Sequence, residues 1–167
     1  RKKRKKGPAA TAVDGRPTPI DQLDTDDVMA AFRQSARGRG WTQREDLLRE
    51  VAGTLGYQRL GSRIKHTLKG HMRAAIRRGI LEANGEDVRA LTITMNDYTR
   101  DALRDTLTSV MRKGTTYDRE DVIQAVAHHL GFQRVRQQTR DPIKSAINSA
   151  IRQGILGYEG NDIWRET

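Results

Sequence analysis

The stretch REDLLREVAGTLGYQR at residues 44–59 returns 75 positions later as REDVIQAVAHHLGFQR at residues 119–134. The alignment continues without a gap, and 16 of 38 positions are identical between residues 44–81 and 119–156. An internal match of this length predicts two copies of one domain. Because there are only two copies and the period is long, we expect a pair of domains rather than a solenoid.

Each copy shows the same succession of helix and hairpin signals. Apolar residues at helical spacing predict three helices per copy, at about residues 21–35, 42–55 and 62–78 in the first and 96–112, 118–130 and 139–153 in the second. Thr42 and Glu45 form a capping-box pattern that predicts the start of the second helix. Gly79 is expected at the C-cap of the third helix. Asn84-Gly85 predicts the turn of a hairpin over residues 80–89, and residues 155–164 predict its counterpart.

This order predicts a mainly α fold with small β hairpins. Three helices followed by a terminal hairpin in about 70 residues are typical of a winged helix, a form of helix-turn-helix domain, and a plain three-helix bundle is the alternative. We therefore expect a basic tail and linker at residues 1–19, a first winged-helix-like copy at residues 20–93 and a second at residues 94–167.

The first copy also resembles a known domain family. The resemblance rests on Gly-Tyr-Gln-Arg-Leu-Gly-Ser-Arg-Ile at residues 56–64, followed by Leu68, Met72, Ala75, Gly79, Ile80 and Leu81. This pattern resembles an uncharacterised winged-helix-like domain of large bacterial proteins that join a superfamily 1 helicase to a nuclease segment. The second copy keeps Gly131, Arg134 and Gly154, but residues 136–139 depart from the pattern. The resemblance implies a bacterial protein, and we expect it to be cytoplasmic, and nucleoid-associated if it binds DNA. No Walker or nuclease motif is present, so any helicase or nuclease activity would lie outside this chain.

Positive charge is concentrated at the start of the chain. The formal net charge is +10, and residues 1–6 carry +6 of it, because residues 7–167 hold 25 basic and 21 acidic residues. A block of like charges repels itself and does not pack. Lys2, Lys3 and Arg4 in this block are candidates for a phosphate-binding arm. The other interpretations are a solvated tail, the end of a linker from a larger protein, and a nuclear signal.

The third helix of the first copy is the strongest candidate for a binding surface. It contains no acidic residue between positions 62 and 78. Its basic side chains lie off the apolar stripe, so one side packs while the other is cationic. Such a helix suits contacts with phosphates and base edges of DNA. A solvated basic face is the alternative. The candidate residues are Arg63, Lys65, His66, Lys69, Arg73 and Arg77.

The third helix of the second copy carries a weaker version of this pattern. Its candidates are Arg136, Arg140, Lys144, Asn148 and Arg152, and Asp141 interrupts the positive charge. We therefore expect the two copies to bind nucleic acid unequally.

Composition and motifs exclude several other classes of function. The chain has no Cys, which excludes disulfides and Cys-ligated zinc. The histidine spacings do not suit one metal ion, and we expect no cofactor. No nucleophile motif or phosphate-binding loop is present, so we expect no enzyme activity in this chain. We also expect neither export nor a membrane span.

These observations leave two functional hypotheses. The first is binding of nucleic acid, most simply duplex DNA, as an accessory to a larger enzyme such as a helicase or nuclease. The second is a protein–protein adaptor within a multi-subunit complex.

Overall fold

The computed structural model describes residues 18–167. The chain divides between Leu91 and Thr92 into two compact units, which we call unit 1 (residues 18–91) and unit 2 (residues 92–167). Both are mainly helical with a small antiparallel sheet, which confirms the mainly α prediction with hairpins.

Unit 1 consists of three helices and a three-stranded sheet. In chain order its elements are α1 (Thr25–Ala36), β1 (Thr42–Gln43), α2 (Arg44–Thr54), α3 (Ser62–Arg77), β2 (Leu81–Asn84) and β3 (Asp87–Ala90). The hairpin strand β3 lies in the middle of the sheet, between β2 and the short strand β1. The sheet therefore joins the end of the unit to the segment between its first two helices.

Unit 2 has the same order of elements. They are α4 (Arg100–Val110), β4 (Tyr117–Asp118), α5 (Arg119–His129), α6 (Gln137–Arg152), β5 (Leu156–Glu159) and β6 (Asp162–Arg165). Its sheet order is β4-β6-β5, which matches that of unit 1 element for element.

The helix beginnings differ from the sequence prediction. The capping box at Thr42 is wrong: Thr42 belongs to β1, where it pairs with Val88, and α2 has Gln43 at its N-cap. The first helix begins at Thr25 rather than residue 21, because Asp24 caps it by accepting a hydrogen bond from the amide of Asp26. Short 3-10 helices at Ile20–Gln22 and Met95–Asp97 occupy the starts of the long first helices that we predicted. The third helix of unit 2 begins at Gln137, two residues earlier than predicted.

The helix ends and hairpin turns depend on glycine. Gly79 has a φ of 78° directly after α3, and the amide of Ile80 donates to the carbonyl of Ala75, which is the expected left-handed helix end. The hairpin of unit 1 turns on Gly85 and Glu86 rather than on Asn84-Gly85, because Asn84 pairs with Asp87. Only Gly85 of this turn has a positive φ, 62°, as a type II′ turn requires of its first central residue.

Each unit has its own aliphatic core. The core of unit 1 is centred on Phe32, Leu47, Leu48, Val51, Leu55, Leu68, Met72, Ile80, Leu81 and Val88. The core of unit 2 is centred on Leu103, Leu107, Val122, Ile123, Val126, Ile143, Ile147, Leu156 and Ile163. Tyr57 is buried against the first core and Phe132 is half-buried against the second. In both units the third helix contributes one side to the core and leaves the other in solvent.

Candidate nucleic-acid interface

The exposed side of α3 presents a row of cations. Lys69, Arg73 and Arg77 are exposed and follow one another at four-residue intervals, so their side chains lie on one side over about 12 Å of helix. His66 is exposed one turn before Lys69 on the same side. The opposite side contains Leu68, which is fully buried. The side chains of these three cations form no hydrogen bond or ion pair with another residue of the described part of the chain, although Lys69 lies close enough to Glu45 to help lower the pKa of that carboxyl group. We call Lys69, Arg73 and Arg77 the cationic row.

The other predicted cations of α3 are engaged inside unit 1. Arg63 forms an ion pair with Asp21 at 2.7 Å, and Lys65 forms one with Glu45 at 2.7 Å. The first partner precedes α1 and the second belongs to the first turn of α2. These two cations therefore contribute to the packing of α3 against its neighbours as well as to the local charge.

The corresponding side of α6 is less positive. The repeat places Lys144, Asn148 and Arg152 at the positions of the cationic row, and all three are exposed. Asp141 takes the position of His66 and adds a negative charge. Arg140, another predicted contact, forms an ion pair with Glu120 of α5. Unit 2 is therefore left with two cations on this side, and a carboxylate lies beside them.

One ion pair recurs at the same repeat positions in both units. Lys65 with Glu45 in unit 1 corresponds to Arg140 with Glu120 in unit 2. The hydrogen bond from Arg140, with a second from Gln124, lowers the pKa of Glu120 to about 2. Lys65 lowers the pKa of Glu45 in the same way. In each unit this ion pair connects the first turn of the second helix with the third helix.

A repeated arginine at the start of the second helix makes different contacts in the two units. In unit 1, Arg44 donates from Nε to the carbonyl of Gly85 in the hairpin turn, at 2.9 Å. In unit 2, Arg119 donates from Nη1 to Oδ1 of Asn148 on α6, at 2.9 Å. The backbone amide of this arginine donates to the hairpin turn in both units, and only the side chain differs: it contacts the turn in unit 1 and the third helix in unit 2.

The remaining predicted contacts lie outside this surface or outside the described residues. Arg136 is exposed at the N-cap of α6. Lys2, Lys3 and Arg4 fall before residue 18 and are not described. His71 is half-buried, and burial lowers its pKa below the ordinary histidine value, so it does not add charge to the row. Within residues 18–167, no three His, Asp or Glu side chains are grouped so that they could hold a metal ion.

The sequence predicted the cationic row but not the contacts that the other candidate residues make inside each unit. The ion pairs of Arg63, Lys65 and Arg140 and the bond from Arg119 to Asn148 join residues 20 to 42 positions apart. Periodicity along one helix carries no information about such contacts. The repeat could have suggested one of them, because Glu45 and Glu120 are aligned and so are Lys65 and Arg140.

Comparison with known proteins finds no match: no family model, curated protein or solved structure is similar to this chain. Among the described helices, none combines the length and the apolar character needed to cross a membrane.

Proposed function

We propose that each unit is a winged helix and that the two units together bind duplex DNA through their third helices. The order helix, short strand, helix, helix, hairpin, with the short strand beside the last hairpin strand, supports the winged-helix assignment. In such a domain the third helix enters the major groove and the hairpin lies beside it. The resemblance to the winged-helix-like domain of bacterial helicase–nuclease proteins is part of this proposal, with an accessory role on DNA for a larger enzyme.

The cationic row is the observation that carries the proposal. Cations in ion pairs with protein carboxylates are partly neutralised, whereas the side chains of Lys69, Arg73 and Arg77 form no ion pair among the described residues. When three cations aligned along one helix contact phosphates, counterions are released from the DNA, and this release supplies essentially all of the affinity of non-specific protein–DNA binding.

The test compares two triple variants with equal loss of charge. The first replaces Lys69, Arg73 and Arg77 by Ala. The control replaces Arg37, Arg112 and Lys113 by Ala, which are exposed, lie outside α3 and α6, and have side chains without a partner in the described residues. The measurement is the affinity for a duplex of random sequence as a function of salt concentration.

We expect the first variant to bind about tenfold or more weakly than wild type. Its slope of log K against log salt should fall by about 2.7, because each lost phosphate contact contributes about 0.9. Both variants should unfold like wild type, since all six side chains are exposed. Equal binding by the two variants would show that the cationic row is a solvated surface.

A protein adaptor remains the alternative function. The first 3-10 helix and the start of α1 carry Asp21, Asp24, Asp26 and Asp27, which would suit a basic partner. Two of these carboxylates already pair with arginines of the same unit, Asp21 with Arg63 and Asp26 with Arg78. This observation favours DNA, and failure of the wild-type chain to bind duplex at low salt would favour the adaptor.

A further inference from the structure

The residue at the centre of the exposed side of α6 is an amide rather than a cation. Asn148 lies one helical turn from Lys144 and one from Arg152, and its side chain is exposed. A carboxamide carries both a donor and an acceptor but no charge. It therefore adds little to phosphate binding and has the groups needed to contact a base edge.

Arg119 holds this amide in one orientation. The guanidinium donates to Oδ1 of Asn148, which leaves the NH2 group of the amide directed away from Arg119 and available as a donor. Oδ1 has a second lone pair, so it can accept another hydrogen bond while Arg119 remains in place. The amide is thus arranged as a donor beside an acceptor before any ligand arrives.

The equivalent positions of unit 1 lack this arrangement. Arg73 stands in place of Asn148, and Arg44, which stands in place of Arg119, contacts the hairpin turn instead. Unit 1 therefore has an unpaired cation where unit 2 has an oriented amide.

We propose that unit 2 supplies base recognition and that Asn148 is its specificity-determining residue, held by Arg119 to read an adenine. This inference rests on the proposed function, since it requires α6 to face the major groove of a duplex. Adenine presents N7 as an acceptor and its N6 amino group as a donor there, which complements the donor and acceptor of a carboxamide. Arg119 acts as a positioning residue, and unit 1 contributes affinity through the cationic row.

The experiment selects binding sites for the full chain from a random duplex library. Competition between the selected site and its single-base variants then measures the preference at each position. For wild type, we expect one adenine whose replacement weakens binding about 5- to 150-fold, the range for a bidentate base contact. Asn148→Ala should reduce that preference to less than about twofold and leave affinity for unselected duplex within about threefold of wild type.

Four further variants separate recognition from folding and from charge. Asn148→Asp keeps an acceptor for Arg119 but cannot donate, so it should lose the adenine preference as well. Gln153→Ala removes another exposed amide of the same region, about 140° around the helix axis, and should keep the preference. Arg119→Ala should weaken the preference, whereas Arg44→Ala, its repeat equivalent, should leave it unchanged.

The outcomes distinguish this inference from the function on which it rests. Binding of duplex without a discriminated adenine, or an Asn148→Ala variant that still discriminates, would overturn the role of Asn148 and leave DNA binding intact. Failure of the wild-type chain to bind any duplex at low salt would overturn both.

Discussion

The two sheets show how a single register position is filled differently in the two copies. Glu82 and Arg89 face each other across β2 and β3 and form an ion pair. Arg89 also lies over the ring of Trp41, with its Cζ 4.5 Å from the ring centroid. The repeat equivalents in unit 2 are Gly157 and Trp164, which are again register partners. A large ring and a residue without a side chain thus replace two charged side chains. The ring of Trp164 fits at its position only because Gly157 opposite it has no side chain.

The space around two glycines, Gly157 and Gly53, predicts opposite effects on stability when each is replaced by Ala. A Cβ at Gly157 would lie 2.5 Å from Cε2 of Trp164, so Gly157→Ala must displace the indole ring and should destabilise unit 2 by about 1 kcal/mol or more. Gly53 lies within α2, with open space at its Cβ position and no positive φ. Gly53→Ala should therefore stabilise unit 1 by about 0.5–1 kcal/mol.

The measurement is urea denaturation with tryptophan fluorescence. Trp164 reports on Gly157→Ala in a Trp41→Phe background, and Trp41 reports on Gly53→Ala in a Trp164→Phe background, because each unit contains one of the two tryptophans. Gly157→Ala should also shift the emission of the folded protein, because the ring moves relative to solvent. An unchanged spectrum and unchanged stability would mean that the ring does not rest on Gly157.

At the scale of elements, the ion pair between second and third helices predicts a pH-dependent stability. The hydrogen bond from Arg140 lowers the pKa of Glu120 to about 2, from the ordinary glutamate value of 4.5. A carboxylate with a depressed pKa in the folded state contributes stability above its unfolded pKa and loses that contribution as pH falls towards the folded pKa. The contribution of Glu120 should therefore be complete above about pH 5 and disappear between pH 4.5 and 2.

The test compares thermal unfolding of Glu120→Gln and wild type between pH 7 and pH 2. We expect a Tm difference of no more than about 4–8 °C at pH 7, because the carboxylate is 45% exposed and solvent screens the pair. This difference should vanish near pH 2. Asp121→Asn removes a neighbouring carboxylate in the same turn of α5 without an ion pair, so a similar pH profile for both variants would show that the helix dipole, rather than Arg140, causes the effect.

The elements also show where local sequence information ends. The bounds of α3 were predicted to within one residue. The apolar stripe along this 16-residue helix and the glycine that follows it are both local signals. Strands β1 and β4 have only two residues each and could not be predicted, since alternation needs a longer segment and their pairing partners lie about 45 residues away. Strand β1 is also the reason why the predicted helix cap at Thr42 is wrong. Thr42 pairs with Val88 of β3 instead of capping α2.

The candidate site likewise has some features that the sequence predicts and others that only the packed structure shows. The exposure of Lys69, Arg73 and Arg77 follows from their spacing relative to Leu68 and Met72, and sequence alone predicts it. The neutralisation of Lys65 and the orientation of Asn148 depend on contacts between helices, and these follow only from the packed structure.

On the scale of the whole molecule, we expect the two units to fold separately. Their cores share no residue, and each contains three helices and a complete sheet. We expect residues 18–91 and 92–167, expressed alone, each to keep its helical circular dichroism and to unfold in one cooperative transition. Loss of helicity in either piece would show that it needs the remainder of the chain.

Separate units allow a test of whether charge placement or net charge governs DNA binding. Unit 1 holds 13 basic and 10 acidic residues, a net charge of +3, and unit 2 holds 11 and 10, a net charge of +1. This small difference predicts similar, weak binding if only net charge matters. The placement of the charges predicts a larger difference, because unit 1 aligns three unpaired cations on α3, whereas unit 2 has two cations beside Asp141 on α6.

We therefore expect unit 1 alone to bind a random duplex several-fold more tightly than unit 2 alone, with salt slopes of about 2.7 and at most about 1.8. Residues 18–167 should bind more tightly than either unit, since linkage raises the effective concentration of the second unit near the DNA. Comparing residues 18–167 with the full chain isolates the first 17 residues, whose charge should raise affinity equally for every sequence, because contacts with phosphate carry no base information. Equal slopes for the two isolated units would show that net charge, rather than the placement of cations on the third helices, governs binding. Affinity that appears only with residues 1–17 present would contradict a role for the third helices and place the binding in the basic tail.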